Sequence, residues 1–163
     1  MPNVFMISDT HFSHANILTF LEKDGSNTRV FSCVEEMDET MVDNWNRVVR
    51  PVDKVYHLGD VCFKNVHLDI LGRLNGTKVL IKGNHDTLKP AQYLKYFKDI
   101  RAYHVMDKFV LSHIPLYPDS VNRWKGNIHG HVHRNTLPDP RYINVCVENI
   151  GYTPIAFDTI RKL

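Results

Sequence analysis

The sequence has no long apolar run, and that absence argues against a membrane-spanning helix. No stretch of the 163 residues reaches the ~20 consecutive apolar residues with which a helix crosses a bilayer. The first residues also lack the basic region and apolar core of a secretion signal. We therefore expect a cytoplasmic protein that has no membrane partner.

Cysteine is scarce, and the three cysteines form no pattern. Cys33, Cys62 and Cys146 are far apart, odd in number and never paired as C-x-x-C. This spacing argues against a disulfide framework and against a zinc knuckle. We expect reduced thiols, with Cys62 acting as a small buried apolar side chain.

The charge imbalance and the glycine and proline contents are also small. With 20 basic and 18 acidic residues, the net charge of +2 gives no electrostatic reason to expect a nucleic-acid partner. The 8 glycines, the 8 prolines and the absence of a repeat argue against a disordered or fibrous chain. We expect one globular domain, residues 1–163, with a single core.

Histidine, in contrast, is abundant. Of 10 histidines, three alternate in the segment NIHGHVH at residues 127–133. Alternation is the side-chain period of an extended chain, so these imidazoles are expected on one face. A metal site would need further ligands from distant parts of the chain, so this segment alone does not distinguish a metal site from a histidine-rich strand end.

The first half of the chain alternates strand and helix patterns. Three short segments rich in β-branched and aromatic residues predict buried strands with helices between them, which indicates an α/β fold with parallel strands. A capping box of Ser32 and Glu35 is expected to open the longest helix. The predicted strands are 3–8, 54–58 and 78–82, and the predicted helices are 14–22, 32–49 and 66–74.

The second half of the chain predicts a different arrangement. Pro90 is expected in the first turn of a short helix, and segments 100–106 and 108–112 flank Asp107 like a hairpin. Residues 142–147 predict a later buried strand, and prolines mark the loops between these elements. We therefore expect an antiparallel meander after the parallel strands.

Candidate ligands follow several of the predicted strands. In open α/β sheets, ligands bind beyond the carboxyl ends of the strands, so side chains at those ends are expected to meet in one crevice. Taken singly, each residue has an ordinary explanation as a helix cap, a tight turn or a packed histidine. Their recurrence at strand ends favours a shared site. The residues are Asp9, His11, Asp60, Asn84, His85, His113, His131 and His133.

These residues resemble the motifs of a known family. The pattern is similar, in order and spacing, to the five motifs of calcineurin-like metallophosphoesterases, and the surrounding residues look like those of small stand-alone bacterial and phage members. The resemblance implies a single domain with two sheets in an α/β/β/α sandwich. The motifs are Asp9-x-His11, Gly59-Asp60, Gly83-Asn84-His85-Asp86, His113 and Gly130-His131-x-His133.

The resemblance also implies two divalent metal ions. Mn²⁺ is the expected metal, with Fe, Zn²⁺ and Ni²⁺ as alternatives, because carboxylates and neutral imidazoles suit these ions. Asp60 would bridge the ions, with one carboxylate oxygen for each. By resemblance, one ion has the ligands Asp9, His11, Asp60 and His133, and the other has Asp60, Asn84, His113 and His131.

The implied reaction is hydrolysis of a phosphate-ester bond by a hydroxide that bridges the metals. His85 would protonate the leaving oxygen or stabilise developing charge, and Asp86 would orient His85. A phosphodiester is expected in preference to a monoester, because a small chain without a capping domain leaves an open cleft. The substrate would be a small phosphate ester or a nucleotide.

Substrate contacts are less clearly marked than metal ligands. Some polar residues near the motifs are candidates for them, although His14 and Asn16 equally suit a helix start and the cations more often lie on a solvated surface. His57, His67 and His104 match no motif and are expected only to pack, and His129 is expected at a strand end. The candidates for substrate binding are Asn84, His14, Asn16, Arg29 and Lys64.

Two other functions stay open at this point. A nuclease acting on DNA or RNA would share the chemistry, and the cluster Arg123-Trp124-Lys125 permits the basic or aromatic surface that a nuclease needs. A protein-interaction module that keeps the fold without catalysis would be expected to lack some metal ligands or His85. The sequence contains all of them.

Overall fold

Nine strands form two sheets in the computed structural model, which describes residues 1–163. One sheet has five strands in the order β4-β3-β2-β1-β9, and the other has four in the order β5-β6-β7-β8. The strands are β1 Val4–Ile7, β2 Lys54–His57, β3 Thr77–Ile81, β4 Asp99–Arg101, β5 His104–Met106, β6 Phe109–Leu111, β7 Gly126–His129, β8 Tyr142–Asn144 and β9 Ile155–Ala156.

The helices are mostly short. The α-helices are α1 Val34–Val48, α2 Pro90–Tyr93, α3 Pro118–Val121 and α4 Phe157–Ile160, and the 3₁₀ helices are Ala15–Thr19, Asn65–Arg73 and Val147–Asn149. The predicted helices 14–22 and 66–74 are therefore 3₁₀ segments. None of the helices combines the length and apolar character needed to cross a bilayer.

Helix α1 starts differently from the prediction. Its N-cap is Cys33, whose side chain makes no capping hydrogen bond. The backbone N–H of Ser32 donates to the Glu36 carboxylate at 2.6 Å. The prediction that Ser32 and Glu35 form a capping box is therefore wrong. The partner is one residue further along, because the helix begins at Val34 and its first turn places the Glu36 side chain over Ser32.

The five-stranded sheet is buried on both faces, which explains its continuous apolar strands. Alternate residues serve two cores: Phe5 and Ile7 pack towards the helices, while Met6, between them, packs towards the second sheet. The helix-side core includes the stripe of α1, where Met37, Met41 and Trp45 are almost fully buried. The core is thus divided into two layers by the sheet, rather than single.

The second sheet corrects the predicted meander. Strands β5 and β6 form the expected antiparallel hairpin, but β6, β7 and β8 run parallel to one another. Segment 100–106 is split between the two sheets, and the strand predicted over 142–147 ends at Asn144. The structure confirms a mixed α/β fold in which helices flank two sheets.

This topology puts the candidate residues at one edge. Strands β1, β2 and β3 are parallel, and so are β6 and β7, so the carboxyl ends within each sheet point the same way. The backbone N–H of Ser8 binds the Val145 carbonyl, and that of Gly130 binds the His113 carbonyl. Ser8 follows β1 and Val145 follows β8, so the hydrogen bond between them joins the two sheets.

Leu68 provides a test of the helix-side core. It is fully buried in the 3₁₀ helix Asn65–Arg73, whereas Leu94 at the end of α2 is 51% exposed. We expect Leu68→Ala to lower the free energy of unfolding by about 2–5 kcal/mol, because it removes apolar contacts and leaves a cavity. Leu94→Ala should change it by about 0.5 kcal/mol or less. Urea unfolding measures both, and equal effects would contradict this packing.

Candidate metal centre

Residues from both sheets meet in two groups of possible metal ligands. Asp9, His11 and His133 form one group, and Asp60, His113 and His131 form the other. Within each group, one ligand atom from each residue lies within 4.8 Å of the others. The structure therefore brings together six of the seven predicted metal ligands in two adjacent trios, and Asn84 lies beside the second.

The first trio leaves buried polar atoms without hydrogen bonds. Asp9 Oδ1 lies 3.7 Å from His11 Nε2 and 3.9 Å from His133 Nε2. Asp9 Oδ1 and His11 Nε2 are both buried and have no hydrogen-bond partner. Because burying such atoms unpaired is unfavourable, and because they converge, they fit the coordination of a cation.

The other oxygen of Asp9 is fully occupied within the protein. Asp9 Oδ2 accepts hydrogen bonds from Ser8 Oγ at 2.6 Å and from the His131 backbone N–H at 2.8 Å. The thiol of Cys146 also lies 3.3 Å from this oxygen. These bonds fix the carboxylate so that Oδ1 points at the imidazoles.

The second trio is completed by an amide. Asn84 Oδ1 lies 2.9 Å from His113 Nε2 and 3.0 Å from His131 Nδ1. The two imidazole nitrogens are themselves 3.3 Å apart. One amide oxygen and two imidazole nitrogens thus face a common point, which suits a metal ligand set.

Asp60, a member of the second trio, also faces the first. Its Oδ2 is 3.7 Å from His11 Nε2 and 3.3 Å from His113 Nε2, whereas Oδ1 accepts the His85 backbone N–H at 2.9 Å. The expected bridge with one oxygen for each ion is therefore not what this arrangement favours. A single oxygen, Oδ2, faces both trios. The other oxygen is engaged by the loop Gly83-Asn84-His85-Asp86, which we call the GNHD loop.

Five of the seven predicted ligands share an unusual backbone conformation. Asp9, His11, Asp60, His131 and His133 all have positive φ values, between 46° and 72°. The left-handed region is strained for residues with a side chain, and such residues cluster at functional sites. Here the sharp turns let consecutive motifs direct their side chains into the same space.

Three glycines allow the loops to approach each other. A Cβ on Gly59 would lie 2.5 Å from the Gly83 backbone nitrogen, and one on Gly83 would lie 2.5 Å from the Asp60 backbone nitrogen. A Cβ on Gly130 would collide with the side chains of Ser8 and Asp9. Glycine at position 130 therefore leaves room for the Ser8 and Asp9 side chains beside the ligand loop.

Glu148 orients one ligand and was not identified from the sequence. Its Oε1 accepts a hydrogen bond from His133 Nδ1 at 2.9 Å and one from Arg29 Nε at 2.9 Å. The first bond leaves His133 Nε2 free to face Asp9, an arrangement common for metal-binding histidines. The only sequence signal for Glu148 is its place after a buried strand, shared by many residues that have no such role.

Arg29 is not exposed at the surface, where a residue that contacts substrate would lie. Its side chain is fully buried, and besides Glu148 it binds the Thr10 carbonyl at 2.7 Å and the Asp9 carbonyl. The expectation that it meets substrate phosphate is wrong on this geometry. The guanidinium instead stabilises the left-handed turn after β1, because it is surrounded by that turn and by Glu148.

Two other histidines have structural roles beyond packing. His57 Nδ1 accepts the Gly59 backbone N–H at 3.1 Å, and its Nε2 lies 2.9 Å from Thr10 Oγ1. Burial lowers the pKa of His57 to about 3, so it is neutral and can accept that bond. His129 Nδ1 lies 2.9 Å from the Gly130 carbonyl, at the end of β7 as expected.

Asp86 has a different role from the one expected. Its carboxylate accepts backbone N–H bonds from Asp60 at 2.8 Å, Val61 at 2.9 Å and Gly83 at 2.8 Å. It therefore ties the Gly-Asp loop to the GNHD loop and does not orient the His85 imidazole. Burial raises the pKa of Asp86, while the hydrogen bonds oppose that rise.

His85 lies at the open side of the centre. It is exposed, and its ring centroid lies 5.0 Å from that of Phe63 and 6.0 Å from that of His11. His14 is half-buried, and its ring centroid lies 4.5 Å from that of Phe63. Both histidines are thus near the first trio, whereas Asn16 and Lys64 are simply exposed.

The four ligand histidines differ in the direction of their pKa shifts. Burial lowers the pKa of His11 and of His131, which favours the neutral imidazoles that coordinate metals. For His113 and His133, the effect of burial is outweighed by the hydrogen bonds to Asp60 and Glu148, which raise the pKa. Burial raises the pKa of the Cys62 thiol to about 12 and that of Cys146 further. The centre therefore offers carboxylate, amide and imidazole donors and no thiolate, a set typical of Mn²⁺, Fe or Zn²⁺.

Two relatives that match along the whole chain carry no named activity. The chain is 39% identical to the uncharacterized protein MJ1445 of Methanocaldococcus jannaschii, over the whole chain and 92% of that protein. It is 27% identical to the gene 66 protein of Mycobacterium phage D29, over the whole chain and 96% of that protein. No family model matches the sequence.

A solved structure has the same fold along nearly its whole length. The protein of unknown function AQ665 from Aquifex aeolicus aligns with a TM-score of 0.77 and 31% sequence identity, over 99% of each chain. The two-sheet arrangement is therefore shared with this relative.

Gly130→Ala tests the close approach of the loops. The added Cβ would displace Ser8 or Asp9, so we expect Mn²⁺ affinity to fall at least about tenfold. Gly72→Ala is the matched control, because the atom closest to its added Cβ would be 3.7 Å away in the Tyr96 ring. Calorimetric titration with Mn²⁺ measures both, and unchanged affinity in Gly130→Ala would contradict the geometry.

Glu148→Gln tests the orientation of His133. The neutral amide weakens the bonds to His133 and Arg29, so we expect Mn²⁺ affinity to fall about 10- to 100-fold. The control is Glu39→Gln, which removes an exposed ion pair with Arg73 and should leave affinity unchanged. The same titration applies, and an equal loss in both variants would exclude a specific role for Glu148.

Proposed function

The chain belongs to the same protein family as MJ1445, and we propose that it is a phosphoesterase of the calcineurin-like metallophosphoesterase superfamily that depends on two divalent metal ions. One observation carries the proposal: Asp60 Oδ2 faces His113 of its own trio and His11 of the other, and the exposed imidazole of His85 lies beside the two trios. A centre of this composition is suited to hydrolysis of phosphate esters.

Each half of the centre contains the donors for one ion. Asp9, His11 and His133 would hold the first ion, and Asn84, His113 and His131 the second. Asp60 would be shared by both. When bound, two such ions polarise the phosphoryl group and make a nucleophilic water available near neutral pH.

The protein supplies the proton and positions the phosphate. Hydrolysis breaks one P–O ester bond and joins a water oxygen to phosphorus, so the leaving oxygen needs a proton. His85, an exposed imidazole beside the centre, would donate it. Asn84 directs its Oδ1 to the two imidazoles, which leaves its exposed amide N–H groups free to donate to a phosphoryl oxygen.

The open surroundings of the centre support a diester in preference to a monoester. Asn84 and His85 are exposed, and a cavity of about 540 Å³ adjoins Asn84 and His113. A phosphodiester has a second substituent that can occupy this space. A monoester leaves the cavity empty and carries more charge to desolvate.

Two substitutions separate metal binding from proton transfer. Asp60→Asn should weaken Mn²⁺ binding and reduce hydrolysis of bis(p-nitrophenyl) phosphate at least about 100-fold, because both ligand groups lose a charged oxygen. His85→Ala should keep Mn²⁺ affinity and lower kcat about 10²- to 10⁴-fold, because only the proton donor is removed. Absorbance of released nitrophenolate measures the rate.

The control for both is His67→Ala, a half-buried histidine outside the centre, which should leave the rate unchanged. The proposal is wrong if Mn²⁺-loaded protein hydrolyses neither bis(p-nitrophenyl) phosphate nor p-nitrophenyl phosphate. It is equally wrong if both variants keep the wild-type rate.

A further inference from the structure

A groove leads away from the metal centre. The cavity of about 540 Å³ beside Asn84 and His113 shares Ala102, Ser112 and Leu116 with a second cavity of about 680 Å³. The shared residues make the two cavities direct neighbours. Together they have room for more than a phosphate group, since pockets of ~300–1,000 Å³ hold whole small molecules.

The far end of the groove carries two aromatic side chains. Tyr103 is 62% exposed and Trp124 is partly exposed, and both line the larger cavity. Tyr103 precedes β5 and Trp124 precedes β7, so the rings belong to different loops. Exposed aromatic rings at the wall of a cavity are platforms on which a planar ring can stack.

The groove is lined by charges of both signs, with one cation in each cavity and the carboxylates of Asp86 and Asp119 in the same walls. Lys82 lies where the groove meets the metal centre, and Arg123 lies beside Trp124. The Arg123 guanidinium takes part in no ion pair of the fold. Asp119 and Ser120 add polar groups that can bind the edge of a ring.

We propose that this groove binds the nucleoside part of a small nucleotide phosphodiester, with the base against Tyr103 and Trp124 and the scissile phosphate at Asn84 and His113. The proposal rests on the proposed function and names its substrate class. A planar base, a polar linker and a phosphate match the aromatic, polar and ligand-bearing parts of the groove in that order.

A small nucleotide fits better than a nucleic-acid strand. The groove is limited to the two neighbouring cavities, and the net charge of +2 offers little to a long polyanion. A strand would need cations that continue beyond the two cavities. Binding of an oligonucleotide is therefore a competing outcome of the test.

Tryptophan fluorescence measures binding of the base directly. Trp45 is fully buried and Trp124 is the other tryptophan, so quenching by a stacked base comes from Trp124. With Mn²⁺-loaded protein, we expect saturable quenching by adenosine 5′-monophosphate and none by ribose 5-phosphate. Tyr103→Ala should weaken the adenosine 5′-monophosphate affinity about tenfold.

A rate comparison gives a second readout. The kcat/KM for the p-nitrophenyl ester of thymidine 5′-monophosphate, divided by that for methyl p-nitrophenyl phosphate, should fall about tenfold in Tyr103→Ala and in Trp124→Ala. The matched control is Tyr117→Ala, because Tyr117 is 71% exposed and lines a different cavity. It should leave the ratio unchanged.

The outcomes distinguish this proposal from the proposed function. Saturable quenching without hydrolysis of any ester supports the groove and contradicts the phosphoesterase. Hydrolysis with equal binding of adenosine 5′-monophosphate and ribose 5-phosphate, or with an unchanged rate ratio, overturns the groove alone. A single-stranded oligonucleotide of 12 nucleotides that binds more than about 100-fold tighter than adenosine 5′-monophosphate also overturns the groove proposal, and indicates a nucleic-acid ligand instead.

Discussion

The loops that follow the strands of two sheets can meet only where no side chain separates their backbones. Gly59, Gly83 and Gly130 occupy those contacts, and a Cβ on any of them would collide with a neighbouring loop. Asp86 reinforces the approach, because its carboxylate accepts three backbone N–H groups from two loops. The positions of the carboxylate and imidazole ligands depend on this contact, since the ligands are adjacent to it in the chain.

The centre concentrates features that are unfavourable elsewhere in a fold. Asp9 Oδ1 and His11 Nε2 are buried without hydrogen bonds, and five of the seven ligand residues adopt left-handed backbone conformations. Such features cost free energy unless something at the site compensates for them. The two apolar layers on either side of the five-stranded sheet provide stability that tolerates them. A bound cation would satisfy the unpaired atoms directly.

The two sides of the centre have different surroundings. His133 is oriented by Glu148, which is buried with Arg29, so this side is closed by a network of side chains. On the other side, His113 Nδ1 lies 2.7 Å from the Leu58 carbonyl, and the groove begins next to Asn84. The structure thus separates a closed side, where Glu148 fixes His133, from an open side that borders the groove.

The sequence by itself determined the three central strands and the ligands after them, because side-chain period and strand-end position are local properties. Asp9, Asp60 and Asn84 were identifiable in this way. The parallel order of β6, β7 and β8, the contacts of Glu148 with Arg29 and the backbone partners of Asp86 were decided only by the tertiary structure. Glu148 and Arg29 are 119 positions apart, and no local pattern specifies which buried charges will meet.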